Sequence, residues 1–268
     1  MHFHELRKDT LLVYQNDLLS SAHGFTTRLG GVSEGYLASM NLGQRRGDTM
    51  ENVLKNYEIL GEAIGFDPHQ VVCAVQVHRD DIRLATQEDW GKGLYVHTDY
   101  EADGLITNTP GTALFVYSAD CGTILLEDRA TGAVGACHAG WRGTALGIAE
   151  KTARAMMEAF GSRPEDLCAV LGPCIGRCCF ETHGDVPEAM SRALGDAARP
   201  AIDQTGEKYH VDLKYINRLF LERAGLLPEH IDVSSHCTAC ETETFWSHRR
   251  HGEKRGSLGA VIVAGGVR

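Results

Sequence analysis

The sequence has no apolar run that approaches the roughly 18–20 residues needed to cross a lipid bilayer. Its first residues, MHFHELRKDTLLVYQN, lack the basic segment followed by an apolar segment that marks a secretion signal. We therefore expect a cytoplasmic protein that has no membrane partner.

The sequence also lacks an excess of positive charge, because 26 Lys and Arg stand against 36 Asp and Glu, for a net charge of -10. A groove that binds nucleic acid needs clustered Lys and Arg, so we expect no nucleic-acid partner. The patterns GxGxxG and GxxxxGK[ST] are absent, and the nearest glycine cluster, Gly140–Gly147, has a different spacing. These absences exclude a nucleotide-binding P-loop.

What is present is the composition of a globular protein with a large core, 43% hydrophobic and 23% charged residues over 268 positions. The nine cysteines are numerous and odd in number. A reducing compartment would keep them as thiols or metal ligands rather than as a disulfide framework.

The centre of the chain, Ala113 to Thr144, reads as three short strands at Ala113–Ser118, Ile124–Glu127 and Ala133–Cys137. The segment Asp128–Gly132 carries the residues of a hairpin turn, which implies antiparallel pairing. Strands and helices are interspersed without a regular βαβ series. We therefore predict a single α/β domain with a mixed sheet, spanning residues 1–268.

Periodicity places the other elements along the chain. We predict helices at Asn52–Gly65, Thr144–Phe160, Asp185–Leu194 and Leu213–Ala224, the last with Asp212 as its N-cap. We predict strands at Leu11–Tyr14, Val71–Val77, Ala102–Thr107, Leu167–Leu171 and Ile231–Ser235, and a final pair at Phe245–His248 and Ala260–Val263.

Three residues at predicted strand ends could bind a metal: His78, Cys121 and His138. Catalytic zinc has three protein ligands and an open fourth position, and both residue types suit it. The spacing matches no local metal motif, so ordinary buried side chains are the alternative. A metal-free hydrolase, with Cys121 as nucleophile and His138 as its base, is a further alternative.

The remaining cysteines form two local groups. Cys174, Cys178 and Cys179 lie close together, and Cys237 and Cys240 form a CxxC pair. Together they could hold a structural zinc through four thiolates. Neither group resembles a clear zinc knuckle, and from the sequence alone small, partly buried thiols are the favoured interpretation.

Two segments could bind an anion. The loop His23–Gly35 combines Arg28 with Gly30 and Gly31, whose amides could cradle a phosphate. Arg142 and Thr144, at the predicted start of a helix, follow His138 closely and offer positive charge and free amides. A plain surface turn and a solvated arginine are the respective alternatives.

Several segments resemble the YfiH family, also called the multicopper polyphenol oxidase or laccase-domain family and regarded as purine nucleoside phosphorylases. The segments run from His23 to Ile262 and read HGFTTRLGGVSEGYLASMNLG, QVH, ADCGTILLED, VGACHAGWRGTALGI and LGPCIGRCCFE. The resemblance implies a four-layer αββα sandwich with mixed sheets. It also implies a zinc bound by His78, Cys121 and His138, which are the predicted catalytic residues, with copper as the alternative ion.

The activity implied by the resemblance is phosphorolysis of adenosine, inosine, guanosine and methylthioadenosine, with adenosine deamination as a side reaction. Purine nucleosides and phosphate are therefore the expected partners. Copper-dependent phenol oxidation and editing of peptidoglycan precursors have also been attributed to members of the family. The chain departs from the family pattern at Thr123, where proline is usual, at Arg79, where a small residue is usual, and in RRHGEKRGS.

Two rival functions stay open at this point. One is the Cys121–His138 hydrolase, which could act on peptidoglycan precursors. The other is a copper phenol oxidase, but a laccase-type centre needs several H-x-H pairs, and His2-x-His4 is the only one in the sequence. The sequence does not fix the oligomeric state, and a monomer is among the alternatives.

Overall fold

The structure is a computed structural model and describes residues 2–265. This part of the chain forms fifteen strands and six α-helices. The strands are β1 (Phe3–Lys8), β2 (Leu11–Asn16), β3 (His23–Thr26), β4 (Val71–Val72), β5 (Ile82–Leu84), β6 (Gly104–Thr107), β7 (Ala113–Ser118), β8 (Gly122–Asp128), β9 (Val134–Ala139), β10 (Leu167–Leu171), β11 (Glu181–Thr182), β12 (Ile202–Thr205), β13 (Lys208–Val211), β14 (Ile231–Val233) and β15 (Leu258–Val263). The helices are α1 (Met50–Ile64), α2 (Trp141–Ala145), α3 (Ile148–Phe160), α4 (Asp185–Leu194), α5 (Leu213–Ala224) and α6 (His248–His251).

Two six-stranded sheets form the centre of the molecule. The first has the order β1-β2-β3-β15-β7-β4 and is antiparallel except for the β4–β7 pair. The second has the order β14-β10-β8-β9-β6-β5 and is antiparallel except at its two edges. Both sheets are therefore mixed. A small third sheet has the order β11-β13-β12.

The apolar side chains divide into layers that match these sheets. One cluster joins residues of β2, β7 and β15 to residues of β8, β9 and β10, so it fills the space between the two large sheets. A second cluster packs α1 on the outer face of the first sheet. A third packs α3, α4 and α5 on the outer face of the second sheet. This arrangement confirms the single α/β domain that the sequence predicts and the αββα sandwich that the family resemblance implies.

Strands β8 and β9 form the central hairpin, and every residue in both is buried. A strand covered on both faces reads as a continuous apolar run. The turn is closed by Asp128, whose Oδ1 accepts the amides of Ala130 and Thr131 at 2.8 and 3.2 Å. Gly132, with a φ of 74°, supplies the left-handed conformation that the turn requires. The predicted antiparallel hairpin is confirmed.

The predicted caps of two helices are confirmed. Helix α1 buries Val53, Tyr57, Leu60 and Ile64, and it ends at Gly65 in the left-handed conformation. Helix α5 begins after Asp212, whose carboxylate accepts the amide of Tyr215 at 3.0 Å. None of the helices within residues 2–265 combines the length and the apolar character that crossing a bilayer requires.

The predicted helix Thr144–Phe160 is wrong at its start, because the segment forms two helices, α2 and α3. Gly147 separates them with a φ of 77°, outside the helical region. A Cβ at Gly147 would lie 3.1 Å from the ring of Phe220, so close packing favours glycine here. Leu146 is 48% exposed rather than part of the buried stripe.

Two strand predictions also need correction. The predicted strand Val71–Val77 is a strand only at Val71–Val72, and beyond it Val75 forms an isolated bridge with Glu101. At its predicted end, the amide of Val77 binds a side chain instead of a strand. The predicted strand Phe245–His248 is absent, since α6 begins at His248 with Ser247 as its N-cap. Strand β15 pairs with β3 and β7 instead. The sequence analysis also missed β1, which pairs with β2 in an antiparallel hairpin.

Candidate metal centre

The three predicted ligands converge at one end of the second sheet. Cys121 directly precedes β8, His138 lies in β9, and His78 follows the loop after β4. The register pairs Thr123 with His138, which brings the start of β8 beside the imidazole. One potential ligand atom from each of the three residues lies within 4.8 Å of the others. The two imidazole rings are 4.7 Å apart at an interplanar angle of 85°.

Asp103 orients His138, although sequence reasoning did not identify it. Its Oδ1 lies 2.7 Å from Nδ1 of His138, and both side chains are buried. A carboxylate can only accept, so Nδ1 carries the proton and Nε2 is left to bind a metal. The one signal in the sequence is an acidic residue just before an apolar strand, which no local motif sets apart.

The same carboxylate fixes the loop that carries His78. Asp103 accepts the amides of Val77, His78 and Arg79 at 3.0, 3.1 and 2.9 Å. His78 has a φ of 60°, a left-handed conformation that is uncommon for a residue other than glycine. The three hydrogen bonds to Asp103 hold this conformation in place.

Asp120 places Cys121 in a comparable way. Its φ is 85°, and its two carboxylate oxygens accept from the hydroxyl of Thr238 and the amide of Arg249, each at 2.6 Å. The hydroxyl of Ser118 donates to the carbonyl of Cys121 at 2.5 Å. The backbone around the thiol is therefore held by residues from distant parts of the chain.

The site perturbs the pKa values of its members in opposite directions. Burial lowers the pKa of His78, and the neighbouring His138 lowers it further. Burial alone would also lower the pKa of His138, but the charge of Cys121 and the hydrogen bond to Asp103 outweigh it and raise the pKa to about 9. Burial tends to raise the pKa of Asp103, but the hydrogen bond from His138 outweighs it and the pKa is lowered.

Gly140 provides a direct test of whether an ion fits. A Cβ at this position would lie 2.6 Å from Nδ1 of His78 and 3.3 Å from the thiol of Cys121. The backbone conformation of Gly140, φ -64° and ψ 164°, is open to any residue, so space and not strain favours glycine. Gly140 therefore keeps a side chain out of the space beside His78 and Cys121, and two imidazoles with one thiol are a donor set that suits zinc.

A cleft of about 460 Å³ opens onto the three ligands. This is within the usual range of sites for small molecules. Polar residues that line it include Gln44, Arg45, Arg46, Gln76, Ser118, Arg255 and Ser257.

Arg46 and Arg255 are basic residues of this cleft that sequence reasoning missed. Arg255 is 8% exposed, and its hydrogen bonds reach the carbonyl of Gly256 and an imidazole nitrogen of His248. No carboxylate among the described residues lies within ion-pair distance of Arg255. Burial lowers the pKa of Arg255, and the nearby Arg46 lowers it further. Arg46 pairs with Glu253, at 3.6 Å from Nη1 to Oε2, so one carboxylate stands against two guanidinium groups. This incomplete neutralisation favours binding of an anion in the cleft.

The predicted anion site at the glycine-rich loop has a structural role in this fold. The guanidinium of Arg28 lies 3.8 Å from the ring centroid of Trp246 and donates to the carbonyls of Ala38 and Thr242. A Cβ at Gly30 would come within 2.2 Å of Leu11, and one at Gly31 within 2.3 Å of the Ser39 carbonyl. These residues close the loop against the body of the protein and do not line the cleft.

The second predicted anion site is also altered by the structure. Thr144 is buried within α2, and its amide donates to the carbonyl of Gly140 at 2.8 Å, so it offers no free donor. Arg142 is exposed and stacks its guanidinium on the ring of Trp141, 4.3 Å from the centroid. Its charge is near enough to contribute to the lowered pKa of His78.

The two cysteine groups of the sequence lie next to each other in the fold, and every member except Cys174 belongs to one cluster of thiols. The thiols of Cys178, Cys179, Cys237 and Cys240 all lie within 4.8 Å of one another. Cys174 is buried beside them but is outside this cluster.

The fold is an αββα sandwich, and its His–Cys–His group opens into a cleft lined by arginines. Both features match the class of protein that the sequence resembles. The family model described as "Multi-copper polyphenol oxidoreductase laccase" matches residues 22–265. The chain belongs to this family, as the resemblance predicts.

Known relatives support the same placement. The chain is 38% identical over 242 residues to "Purine nucleoside phosphorylase YlmD" of Bacillus subtilis, covering 89% of this chain and 87% of the relative. It is 39% identical over 225 residues to "Purine nucleoside phosphorylase YfiH" of Escherichia coli, covering 84% and 86%. The crystal structure of YlmD from Geobacillus stearothermophilus aligns with a TM-score of 0.92 at 35% identity, over 98% of this chain and 99% of that chain.

Proposed function

We propose that this protein is a purine nucleoside phosphorylase that binds one zinc ion through His78, Cys121 and His138. Its substrates would be adenosine, inosine, guanosine and methylthioadenosine, which phosphate converts to the free base and ribose 1-phosphate or methylthioribose 1-phosphate. The observation that carries the proposal is one cleft that presents both the three ligands and three arginines, Arg45, Arg46 and Arg255. The names of the relatives point to the same reaction.

The residues of this chain have separate tasks in that reaction. The C1′–N9 bond of the nucleoside breaks as an oxygen of dihydrogen phosphate bonds to C1′. The proton that this phosphate oxygen loses passes to the departing purine nitrogen. Arg46 and Arg255 would bind the phosphate, with the hydroxyl of Ser257, 3.4 Å from Nε of Arg46, as a further donor. Such charge-assisted hydrogen bonds hold the nucleophile and offset the charge that moves in the transition state.

Zinc, when bound, would supply a Lewis acid that activates water, the chemistry that adenosine deamination requires. We therefore keep deamination of adenosine as a proposed side activity. Asp103 would hold the proton on Nδ1 of His138, so that the ligand nitrogen stays available. The Gly140 backbone would leave the space that the ion occupies.

A second candidate is a metal-free cysteine hydrolase, and Asp103 favours it in one respect. In such an enzyme Cys121 would be the nucleophile, His138 its base, and Asp103 the carboxylate that orients the base. Peptidoglycan precursors would be the substrates of such an enzyme. A hydrolase does not account for His78, one of whose ring nitrogens lies within 4.8 Å of the thiol of Cys121.

A copper phenol oxidase is the remaining alternative, because copper accepts the same donor set of two imidazoles and a thiolate. A laccase-type centre needs additional histidines, and His2 and His4 do not line the cleft. We therefore place this function behind the other two.

The proposal is tested by incubating the zinc-loaded protein with adenosine, with and without phosphate, and identifying the products. We expect adenine and ribose 1-phosphate in the presence of phosphate, with a minor amount of inosine. Adenine with free ribose at the same rate in the absence of phosphate would contradict it. Oxidation of a phenol by the copper-loaded protein without nucleoside turnover would favour the oxidase.

A further inference from the structure

Two segments far apart in the chain bring four thiols together, away from the His78–Cys121–His138 centre. Cys178 and Cys179 lie between β10 and β11, and Cys237 and Cys240 lie after β14. The thiol sulfur of Cys240 is 3.4 Å from that of Cys179 and 3.6 Å from that of Cys178. The four sulfur atoms lie within 4.8 Å of one another. We call this group the cysteine cluster.

We propose that the cysteine cluster is a structural zinc site with four thiolate ligands. Zinc in such sites is tetrahedral with Zn–S bonds of about 2.3 Å, which puts the sulfur atoms about 3.8 Å apart. The two separations from Cys240, 3.4 and 3.6 Å, are close to this edge length. They are far longer than a disulfide bond of about 2.05 Å, and no sulfur pair in the cluster is bonded.

Groups around the cluster suit thiolates. The amide of Gly176 donates to the sulfur of Cys237 at 3.1 Å, and the guanidinium of Arg250 lies 3.6 Å from the sulfur of Cys179. Four thiolates around one Zn²⁺ leave a net charge of -2, of which the guanidinium of Arg250 offsets half. A Cβ at Gly176 would lie 3.3 Å from the sulfur of Cys178, so glycine leaves room for the ligands.

The cluster would connect the two segments that hold Asp120. The amide of Ile175, in the first segment, donates to the carbonyl of Asp120 at 2.8 Å. Thr238, between the two cysteines of the second segment, donates its hydroxyl to the Asp120 carboxylate at 2.6 Å. A zinc ion that ties these segments together would therefore fix the residue next to Cys121. The structural site would support the catalytic one.

The first experiment counts zinc in the purified full-length protein and does not depend on any cluster variant folding. We expect two zinc ions per chain in the wild type and one in the double variant His78→Ala/His138→Ala. X-ray absorption of that double variant should show a shell of sulfur only, at about 2.3 Å. A shell that contains nitrogen, or a double variant without zinc, would overturn the proposal.

The second experiment replaces a proposed ligand and a matched neighbour. Cys240→Ser should weaken the binding of one of the two zinc ions by more than about 100-fold, beyond the loss typical for an outer partner. Cys174→Ser is the control, because this cysteine is buried beside the cluster but outside it. Equal zinc content in both variants would contradict the proposal. So would a wild type with one zinc ion and a disulfide among these four residues, identified by mass spectrometry of the unreduced protein.

Discussion

Asp103 and His138 form a buried carboxylate–imidazole pair, with 2.7 Å between Oδ1 and Nδ1. The backbone of the same two residues is also joined, since the amide of His138 donates to the carbonyl of Asp103 at 2.7 Å. Because Asp103 also accepts three amides of the His78 loop, one carboxylate positions two of the three proposed metal ligands. The ligand geometry therefore depends on a residue that does not itself bind the ion.

The first prediction concerns this pairing. Asp103→Asn should lower zinc affinity at the catalytic centre by about 10–100-fold, because a neutral amide orients the imidazole and the loop less firmly than a carboxylate does. Competition with a chromogenic chelator measures the affinity. Asp99→Asn is the matched control, since the Asp99 side chain is 74% exposed. An equal affinity in both variants would show that Asp103 does not position the ligands.

The second prediction uses the space at Gly140. Gly140→Ala should lose zinc at the catalytic centre, because the added methyl would lie 2.6 Å from a ring nitrogen of His78. Gly184→Ala is a suitable control, since its backbone φ is -65° and the nearest atom to an added Cβ is 3.9 Å away. Zinc content and the unfolding temperature are measured together. A Gly140→Ala protein that is folded and fully loaded would contradict the proposed ion position.

The third prediction separates the anion site of the cleft from the exposed arginine. Arg255→Ala should raise the KM for phosphate by about 10-fold or more, the usual effect of losing a charge-assisted hydrogen bond. Arg142→Ala should change it much less, because Arg142 does not line the cleft. Steady-state kinetics with varied phosphate at saturating adenosine provide the comparison. A larger effect of Arg142→Ala would contradict phosphate binding at Arg255 and favour a phosphate site at the start of α2 instead.

The fourth prediction concerns stability at low pH. Burial tends to raise the pKa of Asp89, but hydrogen bonds from Thr86, Arg83 and Lys92 outweigh it and the pKa is lowered from 3.8. A carboxyl group with a lowered pKa stabilises the fold above pH 3.8 and loses that contribution as the pH falls through its folded value.

The wild type should therefore lose stability on acidification more steeply than Asp89→Asn. Denaturant unfolding at a series of pH values between about 2 and 7 measures the slopes. Parallel curves for the two proteins would show that the ionised Asp89 contributes nothing to the fold.

Local sequence patterns predicted much of the fold. The β8–β9 hairpin and helices α4 and α5 were predicted because turn residues, caps and periodic apolar positions lie within a few residues of one another. The break at Gly147 was missed because a glycine inside an apolar period does not reveal that its φ is positive. For this reason a single helix, Thr144–Phe160, was predicted where the structure has α2 and α3.

The sequence revealed the three proposed metal ligands but not the residues around them. His78, Cys121 and His138 lie in specific motifs, so their positions at predicted strand ends and the resemblance to the family both pointed to them. Asp103 could not be found, because it acts through backbone amides and one imidazole from elements that pair only in the fold. Arg46 and Arg255 line one cleft although about 200 residues separate them in sequence. No local sequence pattern predicts that two residues so far apart in the chain line the same cleft.

The central claim, that Cys121 binds zinc in a nucleoside phosphorylase, is tested most directly by comparing the wild type with Cys121→Ser. Zinc content and ribose 1-phosphate formation from adenosine and phosphate are measured for both, with and without added zinc. We predict that Cys121→Ser loses the catalytic zinc, because a serine hydroxyl replaces thiolate poorly as a zinc ligand. A wild-type protein that is active without zinc and forms a covalent adduct with its substrate on Cys121 would contradict the account.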